Sequence, residues 1–190
     1  MAKLLIFSFL FLNLGTFSLH AHFEDPALRQ RILKTVKENL SVKNKFYAHA
    51  ITSTIMHEAY KYRLDPYIIA AVIKGESNFN PRAVGSMGEI GLMQLKESTA
   101  KWITKKMKIS WRGKRSLYDP LTNIKIGSAY LGYLNEKLES HGGHLYLDAY
   151  NRGYWSVAKS LAKNIQPAIY SKNIMKKYLS LNNVNESSKI

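Results

Sequence analysis

Hydrophobic positions between residues 28 and 62 recur every three or four residues, which is the spacing of an amphipathic helix. A second run of this kind extends from Phe46 to Tyr62. Lysine and arginine occupy the other face of the first run, whose apolar members are Leu28, Ile32, Val36 and Leu40. The pattern therefore predicts two amphipathic helices in this part of the chain.

The strongest helix signal is an apolar segment that begins at Asp65 and Pro66. Aspartate accepts hydrogen bonds from the first free amides of a helix, and proline suits the first helical position. Residues 67–73 are apolar on every side, which is typical of a buried helix. The aspartate–proline start and a pair of alanines favour helix over a buried strand, and we expect the helix to end at Lys74 and Gly75.

The rest of the chain repeats helical signals between polar loops. Residues 76–92 are rich in glycine and predict a loop or very short helical turns. No stretch alternates with the period of two that a half-buried strand needs, and 190 residues suit one domain. We therefore predict an all-α fold in a single globular domain. Its further helices are expected over 92–102, from Asp119-Pro120 onward and around Ile169 to Tyr178.

Composition narrows the classes of function. The chain contains no cysteine, which excludes a disulfide framework, cysteine-ligated zinc, a cysteine nucleophile and a lipid-modified N-terminal cysteine. It has 28 basic and 13 acidic residues, and the net charge is +15. Such a charge indicates a polyanionic partner: nucleic acid, an anionic membrane surface or an acidic cell-wall polymer.

The first 21 residues have the three parts of a secretory signal. Lys3 precedes an apolar run from Leu4 to Leu14, and Ala21 is a small residue suited to cleavage. The run is shorter than the roughly 20 residues of a membrane span. An uncleaved anchor and a buried helix are the alternatives. Export predicts a periplasmic protein, membrane-associated if the signal is retained, whose basic charge serves a wall or membrane surface.

Glu76 directly follows the apolar helix, so its carboxyl group is expected close to the core. Burial and the negative end of the helix dipole both disfavour the charged carboxylate. Both effects raise the pKa, as a general acid requires near neutral pH. The alternative is a surface glutamate past a helix end.

The glycines of the following loop also have two interpretations. Gly85, Gly88 and Gly91 either let the backbone approach a ligand or form a turn without one.

Several spaced motifs resemble those of the soluble lytic transglycosylase (SLT) family and follow one another in the same order as in that family. The similarity extends over about residues 45–180, which is most of the mature chain. The motifs are Glu76-Ser77-x-Phe79-Asn80-Pro81-x-Ala83, Gly88-x-x-Gly91-Leu92-Met93-Gln94, Leu117-Tyr118-Asp119-Pro120-x-x-Asn123, Ala149-Tyr150-Asn151-x-Gly153 and Tyr170-Ser171-x-x-Ile174-Met175-x-x-Tyr178.

The resemblance implies a lysozyme-like fold that cleaves peptidoglycan between N-acetylmuramic acid and N-acetylglucosamine. The family uses no water, because the 6-hydroxyl of muramic acid attacks intramolecularly and leaves a 1,6-anhydro end. Glu76 matches the family's catalytic acid/base, which protonates the leaving oxygen and then takes the proton of the 6-hydroxyl. Ordinary glycosidases use two carboxylates, and an intramolecular nucleophile removes the need for the second.

The same motif match implies which residues contact the substrate. Tyr150 is expected to hold or polarise the site around Glu76, and the hydroxyl of Tyr170 to point into the same cleft. Trp102, Trp111 and Trp155 are candidates for stacking on sugar rings. The residues expected in the cleft are Ser86, Met93, Gln94, Tyr150, Asn151 and Tyr170.

Several positions depart from the family pattern, among them Glu97, which replaces a proline without evident consequence. Gly85 stands where the family often has serine, nine residues after the catalytic glutamate, and Ser86 follows it. Glu89 replaces an alanine; we predict a surface charge, the alternative being a second carboxylate that activates water and makes a hydrolase. Arg152 also replaces an alanine and is a candidate contact for an acidic stem peptide.

The predicted organisation is a signal peptide at 1–21, an N-terminal helical extension at 22–44, the catalytic domain at 45–180 and a flexible tail at 181–190. We predict a monomeric, exported lytic transglycosylase that needs no metal or organic cofactor. Its partner is peptidoglycan rather than nucleic acid, and a secretion, pilus or conjugation apparatus is a further candidate. The alternatives are a hydrolytic muramidase, which yields reducing ends, and a non-catalytic wall-binding scaffold.

Overall fold

The structure is a computed structural model that describes residues 25–165 and 167–183. The predicted signal peptide at 1–21 and residues 184–190 of the predicted tail lie outside these residues. The described chain forms eight α-helices and three short 3₁₀ turns. The helices are α1 (Pro26–Asn39), α2 (Ala48–Tyr62), α3 (Pro66–Ser77), α4 (Glu97–Lys106), α5 (Pro120–Leu138), α6 (Leu145–Arg152), α7 (Tyr154–Leu161) and α8 (Ile169–Asn183). The 3₁₀ turns are Val42–Tyr47, Lys114–Tyr118 and Glu139–His141.

The all-α prediction is confirmed. Over residues 25–165 and 167–183, extended pairing is limited to isolated bridges of Ile90 with Val84 and with Leu95. The helices bury a shared apolar core, in which α1 packs against α2 and α3. The segment predicted as an N-terminal extension therefore contributes α1 to the same core as the rest of the chain.

The two amphipathic helices predicted near the N-terminus are present as α1 and α2. Leu28, Ile32 and Val36 are buried on one face of α1. The second helix begins later than its apolar spacing indicates. Phe46 lies before it in a 3₁₀ turn and is 73% exposed, so its assignment to the apolar face is wrong. Its ring contacts the neighbouring ring of Tyr47, at 4.0 Å between centroids, instead of the core.

Helix α3 runs through the centre of the core and packs against α8 and α2. Its predicted start is confirmed: Pro66 takes the first helical position, and Asp65 accepts a hydrogen bond from the Tyr67 amide at 2.7 Å. Every residue from 66 to 73 is buried. The all-round apolar segment is thus enclosed by neighbouring helices on every side.

The end of α3 differs from the prediction. The helix continues past Gly75 through Ser77, because the chain leaves helical geometry only at Asn78 and Phe79, with φ of 50° and 60°. Asparagine tolerates this left-handed region, and two such residues in succession stop a helix. Glu76 consequently stands on the last turn of a buried helix rather than after it.

The helix predicted over 92–102 begins instead at Glu97. The apolar residues before it belong to the glycine-rich loop, in which the backbones of Ile90 and Leu95 exchange two hydrogen bonds. Gln94 takes a left-handed φ of 46°, which a helix cannot accommodate. This segment is therefore buried as loop and not as helix.

Helix α5 begins at Asp119 and Pro120 as predicted, and Asp119 caps it by accepting a hydrogen bond from the Thr122 amide at 2.7 Å. It packs against α2, α4 and α6, while α8 packs against α3 and α6. This arrangement brings the glycine-rich loop and α6 to the C-terminal end of α3.

Helix α8 extends through Asn183, three residues into the segment predicted as a flexible tail. Leu181 explains the difference, because it is buried against the common core. Within the described ranges, we find no helix with both the length and the apolarity of a membrane span.

Candidate active site

Glu76 lies in a cleft of about 600 Å³ at the C-terminal end of α3. The glycine-rich loop contributes Glu89 and Gln94 to its wall, α5 contributes Tyr130, and α6 contributes Tyr150. A cavity of this volume is within the usual range for small-molecule and cofactor sites. The cleft therefore brings together side chains from motifs that are far apart in the sequence.

The surroundings of Glu76 favour its protonated form. Its side chain is half-buried, and burial is the largest effect that raises the pKa of the carboxyl group. The hydroxyl of Tyr170 donates a hydrogen bond to Oε1 of Glu76, which lowers this pKa, and the like charge of Glu89 raises it. The resulting pKa is raised, so Glu76 has the property that a general acid requires.

Tyr170 is held in place by a buried carboxylate at the start of α8. Oδ1 of Asp148 accepts hydrogen bonds from the amides of Tyr170 at 3.2 Å and Ser171 at 3.3 Å. These bonds satisfy free amides of the first turn of α8 and fix it relative to α6. The Tyr170 hydroxyl is thereby directed at Glu76. Asp148 is not among the predicted site residues, although an acidic residue within an apolar helical stretch indicates a buried polar contact.

The glycine-rich loop is anchored to α5 by Asn123, which is fully buried. Its Nδ2 donates hydrogen bonds to the carbonyl oxygens of Ile90 at 2.8 Å and Leu117 at 2.9 Å. Its Oδ1 accepts a hydrogen bond from the Met93 amide at 2.8 Å. Both amide protons and the carbonyl oxygen of Asn123 are thus engaged, as a buried amide requires.

Gly91 permits this anchor. Its φ of 82° suits glycine, and a Cβ atom there would collide with the side-chain amide of Asn123. The loop is also tied to α3, because Oγ of Ser77 donates a hydrogen bond to the carbonyl of Leu92 at 2.8 Å. Ser77, the residue after Glu76, therefore ties the end of α3 directly to the loop on the other side of the cleft.

Gln94 stabilises the loop with its amide nitrogen. Nε2 donates hydrogen bonds to the carbonyls of Ala83 at 3.2 Å and Gly91 at 3.0 Å. Oε1 faces Gly85, where a Cβ atom would lie 2.8 Å away. Gln94 does lie in the cleft, and its carbonyl oxygen is the group available to a ligand.

Met93 is not a cleft residue. Its side chain is fully buried and fills the space beside Gly127 of α5, so the prediction that it lines the sugar cleft is wrong. A flexible apolar thioether is well suited to fill a core gap of this kind. The carbonyl oxygen of Met93 instead accepts a hydrogen bond from the Tyr150 hydroxyl at 2.8 Å.

Tyr150 lines the cleft with its ring, but its hydroxyl points to the Met93 backbone and not to Glu76. Burial, and then the nearby Glu76 carboxylate, raise the pKa of this hydroxyl. Tyr150 is therefore a neutral wall of the cleft that joins α6 to the loop, and Tyr170 is the tyrosine that contacts Glu76.

These residues fall within a match to a known family, since the family model of the transglycosylase SLT domain covers residues 53–173. The chain belongs to the SLT transglycosylase family. The matched part of this SLT domain contains the end of α3, the glycine-rich loop, α5, α6 and the beginning of α8.

Curated relatives of this SLT domain include two bacterial proteins. The chain is 31% identical over 154 residues to the membrane-bound lytic murein transglycosylase E of Buchnera aphidicola subsp. Acyrthosiphon pisum, covering 75% of this chain and 69% of that protein. It is 35% identical over 120 residues to the membrane-bound lytic murein transglycosylase C of Shigella sonnei, covering 59% of this chain and 33% of that protein.

Two solved structures share the fold of this SLT domain. An inactive mutant of the lytic transglycosylase Slt from Pseudomonas aeruginosa matches with a TM-score of 0.62 and 22% identity, covering 89% of this chain and 29% of that chain. The 70 kDa soluble lytic transglycosylase from Escherichia coli matches with a TM-score of 0.57 and 24% identity, covering 83% and 28%. The chain thus spans less than a third of these two larger proteins.

Two further predicted residues of the SLT domain, Ser86 and Asn151, line the cleft with exposed side chains. Within residues 25–165 and 167–183, neither side chain makes a hydrogen bond. Ser86 therefore does not hydrogen-bond Glu76 in place of a side chain at Gly85. Both polar groups are free to contact a ligand.

Glu89 of the SLT domain is a partly exposed charge, as predicted, and it also lines the cleft. Its side chain is 20% exposed, accepts a hydrogen bond from the Met87 amide at 3.0 Å and pairs with Lys96 at 3.5 Å. Hydrogen bonds from backbone amides, first its own and then that of Met87, hold the pKa of Glu89 below its ordinary value, and Lys96 adds to this.

The cleft accordingly holds two carboxyl groups, Glu76 and Glu89, whose pKa values are shifted in opposite directions. In the part of the chain that the structure describes, no group of three or more His, Asp or Glu side chains is placed to hold a metal ion.

Proposed function

We propose that this chain is a peptidoglycan lytic transglycosylase, which cleaves the bond between N-acetylmuramic acid and N-acetylglucosamine and leaves a 1,6-anhydro end. The observation that carries the proposal is the Glu76 carboxyl group, which lines an open cleft, has a raised pKa and accepts a hydrogen bond from Tyr170 behind the residues that line the cleft. The names of the relatives, lytic murein transglycosylases, support the same substrate and reaction.

In the first step, Glu76 donates its proton to the glycosidic oxygen. The bond between that oxygen and C1 of muramic acid breaks, and N-acetylglucosamine leaves with a hydroxyl group. Burial raises the pKa of Glu76 and so favours the protonated acid that this step requires. A positive charge develops at C1 and the ring oxygen, as in other glycosidic cleavages.

In the second step, Glu76 acts as a base. Its carboxylate takes the proton of the muramic acid 6-hydroxyl while that oxygen forms the new bond to C1, so Glu76 regains its proton and no water is consumed. The Tyr170 hydroxyl stabilises the carboxylate that exists only between the two steps. One carboxyl group with a hydrogen-bond donor can thus perform both proton transfers.

The open groups of the cleft are suited to hold the sugar. Ser86, Asn151 and Oε1 of Gln94 can accept or donate hydrogen bonds to hydroxyl and N-acetyl groups. We further propose a periplasmic location, which rests on the predicted signal at 1–21 and on relatives described as membrane-bound. The net charge of +15 favours attraction to the polyanionic wall.

The test of the proposed function is mass spectrometry of the fragments that the purified protein releases from peptidoglycan sacculi. Anhydro-ended fragments from the wild type, and none from the Glu76→Gln variant, are the expected result. Reducing-end fragments, each heavier by one water, would overturn the transglycosylase proposal in favour of hydrolysis. Release of neither product by folded protein would reject the enzymatic proposal.

Glu89 supplies the observation for a second candidate function, a hydrolytic muramidase. A protonated acid and an ionised carboxylate on one cleft are the pair that hydrolytic glycosidases use. Against this, the carboxylate of Glu89 is already engaged by the Met87 amide and Lys96. We therefore favour a role for Glu89 in shaping the loop.

The Glu89→Gln variant separates these two functions. Glutamine retains the acceptor for the Met87 amide, so we expect anhydro-ended products at a rate within roughly tenfold of the wild type, against the loss of roughly 10²-fold or more that removal of a catalytic carboxylate causes. The neighbouring Glu97→Gln, on the exposed start of α4, is the matched control. Loss of a water-derived product in Glu89→Gln alone would establish the muramidase.

Replacing Tyr170 by phenylalanine is expected to move the alkaline limb of the pH–rate profile to higher pH. In the wild type, the hydrogen bond from Tyr170 lowers the pKa of Glu76. Removing this bond therefore raises that pKa further. Because kcat/KM falls as an essential acid of the free enzyme deprotonates, the limb follows the pKa upward. The measurement is kcat/KM for fragment release as a function of pH.

Tyr178→Phe is the matched control for this shift, because it removes a hydroxyl that binds Asp65, on the N-terminal side of α3, at 2.9 Å. Its alkaline limb should coincide with that of the wild type. An unchanged limb in Tyr170→Phe, or a shift to lower pH, would contradict the assigned contact between Tyr170 and Glu76.

A further inference from the structure

A second groove, of about 650 Å³, adjoins the catalytic cleft. It lies between α4, α5 and the junction of α6 with α7. Tyr130, Arg152 and Gly153 line both cavities, so the two are continuous along the surface. A chain-like ligand that leaves the cleft past α6 would enter this groove.

The groove is aromatic, and two of its rings are open to solvent. Trp102 is 45% exposed and Trp155 is 82% exposed. Trp102 is held by edge contacts to Tyr133 and Tyr130, with centroids 5.0 Å and 6.3 Å apart. Trp155 contacts the ring of Tyr154 at 5.2 Å. Large aromatic faces grouped on a surface mark an interaction site, because burying them gives a large gain on binding.

The groove is also cationic. Lys106 lies over the rings of Tyr133 and Trp102, at 5.1 Å and 6.0 Å from their centroids. Lys137 and Arg152 line the groove, and among the described residues neither forms an ion pair. No acidic residue of the described chain lines it. The groove therefore offers flat apolar faces beside unpaired positive charges, which complements a carbohydrate that carries carboxylates.

We propose that this groove is a second binding site for the glycan strand, in which Trp155 stacks on a sugar ring and Lys137 pairs with a carboxylate of the strand. This inference rests on the proposed function, since the same strand must pass from the catalytic cleft into the groove. The carboxylate belongs to the peptide or, on a muramic acid without peptide, to the lactyl group, whose carboxyl is otherwise in amide linkage to that peptide. Binding here holds a long strand in place and contributes to affinity, not to the chemical step.

The first test measures binding in the Glu76→Gln background, which removes turnover. Adding Trp155→Ala should weaken binding of soluble peptidoglycan strands by roughly tenfold, as expected for truncation of a central aromatic contact. Adding Lys137→Gln should weaken it by about threefold, the scale of an exposed ion pair. Because both side chains are exposed, neither change should alter the melting temperature.

Two matched controls separate the groove from general effects. Phe46→Ala removes an aromatic ring that is 73% exposed and lines a different cavity, and Lys37→Gln removes an equal charge from the exposed face of α1. Both should bind strands as the background protein does. Equal weakening by Lys37→Gln would show that Lys137 acts only through net charge, which would overturn its assigned contact.

The probe distinguishes the two contacts and the two sources of the carboxylate. With uncharged N-acetylglucosamine oligomers, Trp155→Ala should still weaken binding, whereas Lys137→Gln should have no effect. An amidase removes the peptide and frees the lactyl carboxylate of each muramic acid. On strands treated in this way, an effect of Lys137→Gln shows that Lys137 pairs with the lactyl carboxylate, and loss of the effect shows that the peptide supplies the partner. If Trp155→Ala weakened the binding of no glycan, the proposed glycan site would be wrong, and the groove would instead be assigned to a protein partner.

Turnover by otherwise wild-type protein separates this inference from the proposed function. Trp155→Ala should raise KM on long strands and leave kcat unchanged, because it acts on binding alone. If the wild type releases anhydro-ended fragments and Trp155→Ala leaves KM unchanged, the groove is rejected while the function stands. If the wild type releases no fragments, the function is rejected, and with it a strand subsite that serves it.

Discussion

Replacing Glu76 by glutamine is expected to lower the release of anhydro-ended fragments by roughly three orders of magnitude or more, since general acid–base catalysis contributes about 10² to 10⁴ and this residue performs both proton transfers. Glutamine has nearly the same shape but neither donates a proton to the glycosidic oxygen nor takes one from the 6-hydroxyl. The measurement is the initial rate of fragment release, normalised to folded protein.

The same variant should keep its fold and its stability. Burial raises the pKa of Glu76, so the energy gained when this group is protonated is fully present at low pH and is lost as the pH rises through the folded-state pKa. A neutral glutamine avoids the ionised form, and the variant should melt at the same or a higher temperature at neutral pH.

Glu38→Gln, on the exposed face of α1, is the matched control for this substitution. It should retain wild-type activity, because its carboxylate lies outside the cleft. Substantial activity in folded Glu76→Gln protein would show that another group supplies the proton. A large fall in melting temperature would instead make the loss of activity a consequence of unfolding.

The parts of the fold that follow from the sequence are those with local signals. Asp65 and Asp119 each precede a proline and cap a helix by bonding an amide two or three residues away, so α3 and α5 could be placed from a few neighbouring residues. The end of α3 depends on two left-handed residues, Asn78 and Phe79. Phe79 is buried in the core, and a local pattern does not reveal that a bulky residue takes this conformation.

The apolar segment before α4 illustrates a non-local cause. Residues 92–95 resemble the start of a buried helix, but they are held as loop by Asn123, which lies about thirty positions further along the chain. The same loop turns the Met93 side chain into the core. Apolar spacing alone cannot distinguish a buried loop from a buried helix.

The candidate site divides in the same way. Glu76 could be predicted as the catalytic residue, because its position beside an apolar helix already implies burial and because it matches the catalytic glutamate of the SLT motifs. The partner of each tyrosine hydroxyl could not be predicted, because it depends on which helices meet. Tyr150 reaches the Met93 carbonyl, while Tyr170 reaches Glu76 only through the first turn of α8 that Asp148 holds.

Replacing Asn123 by alanine is expected to destabilise the protein by about 3 to 5 kcal/mol, because each buried polar group left without a partner costs about 1 to 3 kcal/mol. The variant leaves the Met93 amide and the carbonyls of Ile90 and Leu117 without their partner in the core. For a chain of this size the melting temperature should fall by roughly 10 °C. The measurement is thermal and denaturant unfolding.

Asn135→Ala makes the same substitution on the same helix at a half-buried position, where no such set of hydrogen bonds exists among the described residues. It should change stability by less than about 1 kcal/mol. Asn123→Asp retains an acceptor for the Met93 amide but directs a carboxylate oxygen at two carbonyls, so it should be at least as unstable as alanine. If Asn123→Asp proves as stable as the wild type, the amide protons of Asn123 do not anchor the loop. The cleft around Glu76 would then be held by Ser77 and Gln94 instead.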